Sequence, residues 1–370
     1  MTTLRLISDD LTGALDTAAA FVGVTGPVPV FWPGRLPDSP PRTAAFDCAT
    51  RECGRDEAFM RHADMSAVLM QGDIAFKKID SLLRGHAVAE IAALMRSGRW
   101  THAVLAPAFP FQGRITRKAR QYRSDGGEGW VPVCGDLVTS LLAEGVAAQS
   151  GDVSIPGVAV MDAETDAALD DIVRLGLHNQ SNILWCGSAG LAEALVRVLQ
   201  PGAVVAESPL RGPLLGIFGS DQDVTSAQLD RCAGVTLHVG SNIKAGTADI
   251  ASCLAEHGAA MVRFDLPKNM PRAEAAETIR ERLAALLPRL SRPGTLVVAG
   301  GETLREICDL LGASHLKVTG ALQPGVPRSI LQGGAWDGVD IISKSGAFGG
   351  PHWLRDLLVQ AGIALKGTGT

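Results

Sequence analysis

The chain has 370 residues, enough for two domains of roughly 100–200 residues each, and 46% hydrophobic residues to fill their cores. Only 20% of residues are charged and the net charge is −5, which disfavours a nucleic-acid backbone or an anionic membrane surface as partner. Seven cysteines without a C-x-x-C pair, and no run of about 18 apolar residues, argue against a zinc site, a disulfide framework and a membrane span. The start, MTTLRLISDD, breaks its apolar run with two acids, so no secretory leader is read and a cytoplasmic location is expected.

In chain order, Leu4–Ser8 reads as a short strand ending in Asp9-Asp10, and Leu11, Leu15, Ala18, Ala19 and Val22 follow at helical spacing. Similar strand-to-polar-loop units recur at Thr43–Phe46 before Asp47, Ala75–Lys77 before Asp80, and Ala103–Ala106 before PAFP, with a helix over Ala87–Met95. The charged stretch Arg114–Gly129 is expected to be an exposed loop. A helix over Thr165–Leu175, a strand Ile183–Cys186 and a turn into a helix at GSAGLAEALVRVL come next. Gln200–Pro213, with three prolines, is the linker candidate, so domains are expected at 1–205 and 206–370. Beyond it, strand Leu214–Phe218 ends in Gly219-Ser220 and a helix begins near Thr225. Thr295–Ala299 then runs into Gly300-Gly301-Glu302-Thr303 and helix Leu304–Leu311, and Val339–Ile342 runs into SKSGAFGGP. The expected fold is α/β: two α/β domains, each with a mainly parallel sheet, and an interdomain cleft where a ligand would sit.

Ligands of open α/β sheets lie outside the carboxyl ends of the strands, which draws attention to Asp9 and Asp10. Acids there can hold a metal, bind hydroxyls or accept a proton; equally, Asp10 or Thr12 can cap the following helix. Asp16 shares a helix face with Thr12. In FKKIDSLLRGHAVAEI, Lys77, Lys78, Asp80, Ser81 and Arg84 crowd one strand-to-helix turn, a pattern suited to a ligand with a carboxylate and hydroxyls but also to a solvated surface turn. Arg51 and Arg114 also follow strand-like runs. In the second half, the glycines of GGET and SKSGAFGG free backbone N–H groups that can meet phosphate oxygens, and Lys344 can add charge; helix caps and tight turns are the plainer reading. No Walker A or G-x-G-x-x-G motif occurs, and no G-x-S-x-G hydrolase elbow.

The motifs ISDDLTGALDTAA, KKIDSLLRGH, APAFPFQGRIT, LWCGSAGLAEAL, GSDQDVTSAQL, GGETLREICDLLG, QPGVPRSIL and ISKSGAFGG, in this order from Ile7 to Gly350, resemble those of the four-carbon acid sugar kinases. The resemblance implies a sugar-acid domain followed by a nucleotide domain. It implies transfer of the γ-phosphoryl group of ATP, with Mg²⁺, to the 4-hydroxyl of a tetronate or 3-oxo-tetronate. Asp10 and Asp80 would then be catalytic, and Asp9, Asp16, Arg51, Lys78, Ser81 and Arg84 would bind the sugar acid. Ser220, Gly300, Gly301, Glu302, Thr303, Lys344 and Gly346 would bind the nucleotide. The alternative is a non-catalytic sugar-acid sensor. Metal ligands are not assigned, and a homodimer is left open. Leu82 and His86 replace the Thr and Asn of the family's KKIDSTLRGN, and Arg117–Arg120 (RKAR) replaces a glycine-containing turn. These departures bear on the exact substrate and on whether kinase chemistry is kept.

Overall fold

The computed structural model describes residues 2–127, 129–179, 182–202, 208–219, 222–267 and 269–365. The chain divides into two compact units, Met1–Val205 and Ala206–Thr370. The boundary expected near residue 206 lies outside the described residues, and so does Ser220.

In the first unit the elements are β1 (Leu4–Ser8), α1 (Leu11–Thr25), β2 (Val28–Phe31), β3 (Ala44–Asp47), α2 (Arg55–Leu69), β4 (Ile74–Lys78), α3 (Ala87–Arg96), β5 (His102–Ala106), β6 (Arg114–Arg117), β7 (Arg120–Ser124) and β8 (Trp130–Pro132). They continue with α4 (Leu137–Ala143), β9 (Ala148–Ser150), β10 (Gly157–Val160), α5 (Asp166–Asn179), β11 (Ile183–Gly187) and α6 (Ala189–Leu199). The main sheet runs β2-β3-β1-β4-β11-β5-β10-β9, with parallel pairing throughout. Parallel strands covered on both faces need side chains buried on both faces, so β1, β3, β4 and β11 are buried at every position. Ile7, Phe46, Ile91, Leu94, Leu105 and Leu184 belong to one buried apolar cluster in this unit.

The stretch Arg114–Gly129 corrects the sequence expectation. Instead of an exposed loop it forms most of a separate antiparallel sheet, β6-β7-β8. Arg117 pairs with Arg120, so Lys118 and Ala119 form a two-residue hairpin turn, at φ of 51° and 54°. Such turns favour Asn-Gly, and Lys-Ala carries no such signal. Here the Asp162 carboxylate accepts the N–H groups of Lys118 (2.6 Å) and Ala119 (2.9 Å) and supports the turn from a distant part of the chain.

The second unit comprises β12 (Leu214–Phe218), α7 (Asp223–Asp230), β13 (Thr236–Val239), α8 (Ile243–His257), β14 (Ala259–Phe264), α9 (Arg272–Leu286), β15 (Thr295–Ala299), α10 (Gly301–Leu310), β16 (His315–Gln323), β17 (Val326–Gln332), β18 (Asp340–Lys344) and α11 (Trp353–Gln360). Its strands lie in the order β13-β14-β12-β15-β18-β17-β16. The first five are parallel, and the β16–β17 hairpin adds two antiparallel strands beside β18. Both units are therefore α/β with mainly parallel sheets. Among the described residues no helix is long and apolar enough to cross a membrane.

Candidate functional site

In the first unit, the carboxyl ends of β1, β3 and β4 bring together most of the residues expected to bind a sugar acid. The backbone sets the arrangement. Asp9 O accepts the N–H groups of Thr50 (2.9 Å) and Arg51 (3.1 Å), pinning the turn after β3 against the end of β1. Ala49 holds a left-handed φ of 50° in that turn, and Asp47 Oδ1 accepts its N–H at 2.7 Å. Arg51 is thereby aimed at three acids. Its Nε and Nη2 donate to the two oxygens of Asp9 (2.7 and 2.9 Å), Nη1 donates to Asp10 Oδ2 (2.9 Å), and Nη1 lies 3.5 Å from Asp80 Oδ2.

Asp10 serves two ends. It caps α1, with Oδ1 accepting from Gly13 N at 2.9 Å, so the capping reading of the sequence is realised. It is also the most exposed of the three acids, at 28% of its side chain against 3% for Asp9 and 9% for Asp80. Burial, with Asp9 adding to it, raises its pKa despite Arg51. Asp9 goes the other way: burial pushes it up, but Arg51, Lys77 and Lys78 together hold it at about 2. Asp80 is also lowered, because Arg84 and Arg51 outweigh its burial.

Lys77 and Lys78 are successive residues of β4 and so point to opposite faces. Lys77, fully buried, pairs with Glu90 of α3 at 2.7 Å. The other Glu90 oxygen accepts the Thr50 hydroxyl at 2.6 Å, which ties this ion pair to the Arg51 turn. His62 Nε2 lies 3.7 Å from Glu90, and burial and Lys77 lower its pKa to about 4. Lys78 is buried on the site side, and among the described residues its ammonium makes no hydrogen bond. A Cβ added to Gly13 would meet Asp10 Oδ1 at 2.6 Å, Ser8 Oγ at 2.8 Å and Lys78 Nζ at 3.1 Å, so only glycine lets these three groups converge.

The turn after β4 is tightly held. Asp80 Oδ1 accepts Leu82 N (2.8 Å), Asp80 Oδ2 takes Arg84 through Nε (3.1 Å) and Nη2 (2.5 Å), and Leu83 adopts φ 53°. Ser81 is half-buried, and its carbonyl accepts Gln121 Nε2 at 2.9 Å. Of the residues expected here, Asp9, Asp10, Arg51, Lys78, Asp80, Ser81 and Arg84 gather. Two differ from expectation in what they hold: the guanidinium groups of Arg51 and Arg84 are engaged by the protein's own acids. Asp16 lies near Glu193 of α6, where burial and that neighbouring charge raise the Glu193 pKa to about 7.

In the second unit, the expected phosphate turns also meet at strand ends. Gly300, at φ 107°, precedes α10 and donates its N–H to Lys344 O at 3.0 Å. A Cβ on Gly219 would meet Thr303 Oγ1 at 2.2 Å, so the end of β12 approaches the GGET turn closely. Gly301 and Glu302 form the first turn of α10, where the helix dipole suits an anion. Lys344 is buried, and burial lowers its pKa to about 8. Its ammonium donates to Ser345 O (3.1 Å), Gly346 O (3.4 Å) and Thr225 Oγ1 (3.4 Å), so it clamps the SGAFGG loop.

Several residues of these sites escaped the sequence reading. Thr225 Oγ1 donates to Gly346 O at 2.7 Å, and Gln228 Nε2 donates to Phe348 O (3.2 Å) and Gly350 O (2.9 Å). Both are fully buried, one helical turn apart on α7. Their signal was present in the motif GSDQDVTSAQL, without the roles. Glu90 and Gln121 carried none.

Comparison with known proteins fits this geometry. A family model described as "Sugar-binding N-terminal domain" matches residues 4–133, and one described as "Nucleotide-binding C-terminal domain" matches residues 215–354. A D-threonate kinase of Cupriavidus necator is 30% identical, over 93% of this chain and 94% of its own. A D-threonate kinase of Bordetella bronchiseptica is 29% identical, over 98% of this chain and 97% of its own. Among solved structures, a Salmonella typhimurium protein described as a tRNA synthase superposes with a TM-score of 0.77 at 20% identity. It covers 98% of this chain and 99% of its own, a likeness of fold alone.

Proposed function

We propose that this chain, which belongs to the four-carbon acid sugar kinase family, transfers the γ-phosphoryl group of ATP to the 4-hydroxyl of a four-carbon sugar acid, with D-threonate the first candidate. The observation that carries the reading is the convergence on one glycine of Lys78, a largely buried residue whose ammonium makes no hydrogen bond among the described residues, and a partly exposed carboxylate, Asp10. The two meet over Gly13 at the ends of β1 and β4. A sugar acid needs a cation for its carboxylate and acceptors for its hydroxyls, and this site offers both. Because Arg51 and Arg84 are engaged with Asp9, Asp10 and Asp80, Lys78 is the first cation available to the substrate carboxylate.

Asp10 is assigned as the general base. Its raised pKa keeps it a better proton acceptor than Asp9 or Asp80. The 4-hydroxyl proton passes to Asp10 as the O4–Pγ bond forms, and the bond from Pγ to the β,γ-bridging oxygen breaks to release ADP. Asp80, committed to Leu82 N, Arg84 and Arg51, organises the turn that carries Ser81 and Arg84. Gly300–Thr303, with the loop held by Lys344 around Gly346, is assigned to the phosphates of ATP. Mg²⁺ arrives as part of the MgATP substrate. Among the described residues no group of three or more His, Cys, Asp and Glu is arranged to hold a metal, and the three acids at the site are engaged by arginine.

The sensor alternative draws no support from the relatives, both of which are named as kinases. The test is ADP release by the purified chain with MgATP and a panel of tetronates and 3-oxo-tetronates, with phosphorus NMR to place the new ester. D-threonate-dependent release with a C4 phosphate is expected. Sugar-acid binding without turnover would favour the sensor and overturn the kinase reading.

A further inference from the structure

We infer that Gln121, on the small β6-β7-β8 sheet, is a positioning residue for the sugar-acid site and acts through the carbonyl of Ser81. The inference rests on the functional reading above for what the site binds, but its geometry stands alone. Gln121 and Thr116 are both fully buried. The Thr116 hydroxyl donates to Gln121 Oε1 at 2.7 Å, which fixes the amide with its NH₂ facing the other way. That NH₂ spends its two protons on carbonyls of two separate segments, Ser81 O at 2.9 Å and Pro107 O at 3.1 Å. One side chain therefore joins the turn after β4, the segment after β5 and the small sheet.

The turn it holds needs holding. Leu83 sits in the left-handed region, which an unbranched glycine enters freely and leucine does not. Asp80 and Arg84 flank that residue and are bonded to each other across it. The charges of Asp80 and Arg84 also reach Arg114 at the start of β6, so the same sheet brings a further guanidinium to the turn. If the Gln121 amide is removed, the carbonyls of Pro107 and of half-buried Ser81 and the buried Thr116 hydroxyl lose this partner, and the turn gains freedom at the place where the sugar acid is gripped.

Gln121→Met keeps length and removes the donors; Thr116→Val removes the group that orients the amide, and Thr116→Ser keeps it. In Gln121→Met and Thr116→Val, KM for the sugar acid is expected to rise about fivefold or more, the equivalent of one buried hydrogen bond, with KM for ATP changed less than twofold. Amide exchange in residues 79–85 should quicken in both while exchange in the second unit stays as in the unaltered chain. Thr116→Ser should behave as the unaltered chain. Unchanged exchange in 79–85, a parallel rise in both KM values, or Thr116→Ser matching Thr116→Val would each overturn the inference. Should the unaltered chain turn over no four-carbon acid, the functional reading fails, and the exchange measurement still decides whether Gln121 holds the turn. Thr116→Val provides the measurement if Gln121→Met does not fold.

Discussion

One guanidinium, that of Arg51, lies against three acids whose other surroundings differ, and those differences make Asp10 and Asp9 separately testable. Asp10 keeps one oxygen toward Gly13 N and one toward Arg51, yet retains solvent exposure that Asp9 and Asp80 lack. Asp10→Asn keeps the shape and one acceptor, for Gly13 N, but turns an NH₂ toward Arg51 Nη1 and removes the proton acceptor. A loss of about 100-fold or more in kcat, with KM for ATP little changed, is expected from steady-state kinetics; full turnover would reassign the base. Asp9 predicts an effect on stability. Its pKa is lowered from 3.8 to about 2 in the folded chain, so the folded state binds its proton more weakly than the unfolded one. The resulting stability, roughly 2 kcal/mol, is present above pH about 4 and lost as pH falls toward 2. Urea unfolding between pH 4 and 2 should show a steeper loss in the unaltered chain than in Asp9→Asn; equal slopes would place Asp9 outside the network. At this scale the residue types were legible in the sequence, since acids and bases at strand ends announce themselves. Their pairing was not, because Arg51 meets Asp9 and Asp10 from about 40 positions away and only the fold decides which charge is spent on which.

At the scale of elements, the alternating strands and helices of both units follow from short apolar runs ending in polar turns. Leu4–Ser8, Leu214–Phe218 and Thr295–Ala299 have the bounds their sequence suggests. The β6–β7 hairpin does not, because Lys118 and Ala119 hold positive φ without glycine or asparagine. That misfit is a reserve of stability. A left-handed residue with a side chain costs about 1 kcal/mol, and asparagine is better tolerated there. Lys118→Asn leaves the backbone bonds to Asp162 in place and should raise the melting temperature by about 2 °C or more, at roughly 2–4 °C per kcal/mol for a unit of this size. An unchanged or lower melting temperature in scanning calorimetry would mean that the Asp162 carboxylate already absorbs the strain. The opposed side chains of Lys77 and Lys78 illustrate a second limit of sequence. The alternation along β4 was foreseeable, but not that α3 supplies Glu90 to neutralise the inner lysine.

For the whole molecule, the assignment of one ligand to each unit is the claim with the widest consequence. The sugar-binding family model ends at residue 133 and the nucleotide-binding one begins at 215. The two sets of strand ends described above fall inside these ranges. A ligand at about 100 times its Kd stabilises the state it binds by about 2.7 kcal/mol, enough to slow exchange through local opening up to about 100-fold. D-threonate alone should therefore protect amides over 9–13 and 78–85, and MgATP alone should protect 299–303 and 344–350. Hydrogen–deuterium exchange resolved by peptide reads both sets in one experiment. If MgATP protected 78–85 and left 299–303 and 344–350 exchanging as in the free chain, the nucleotide would belong to the first unit. The glycine turn at Gly300, with its φ of 107° and its bond to Lys344 O, would then be a structural cap on α10. The opposite pattern, protection confined to the assigned turns, is what a helix N-terminus and a lysine-clamped loop built for phosphate should give.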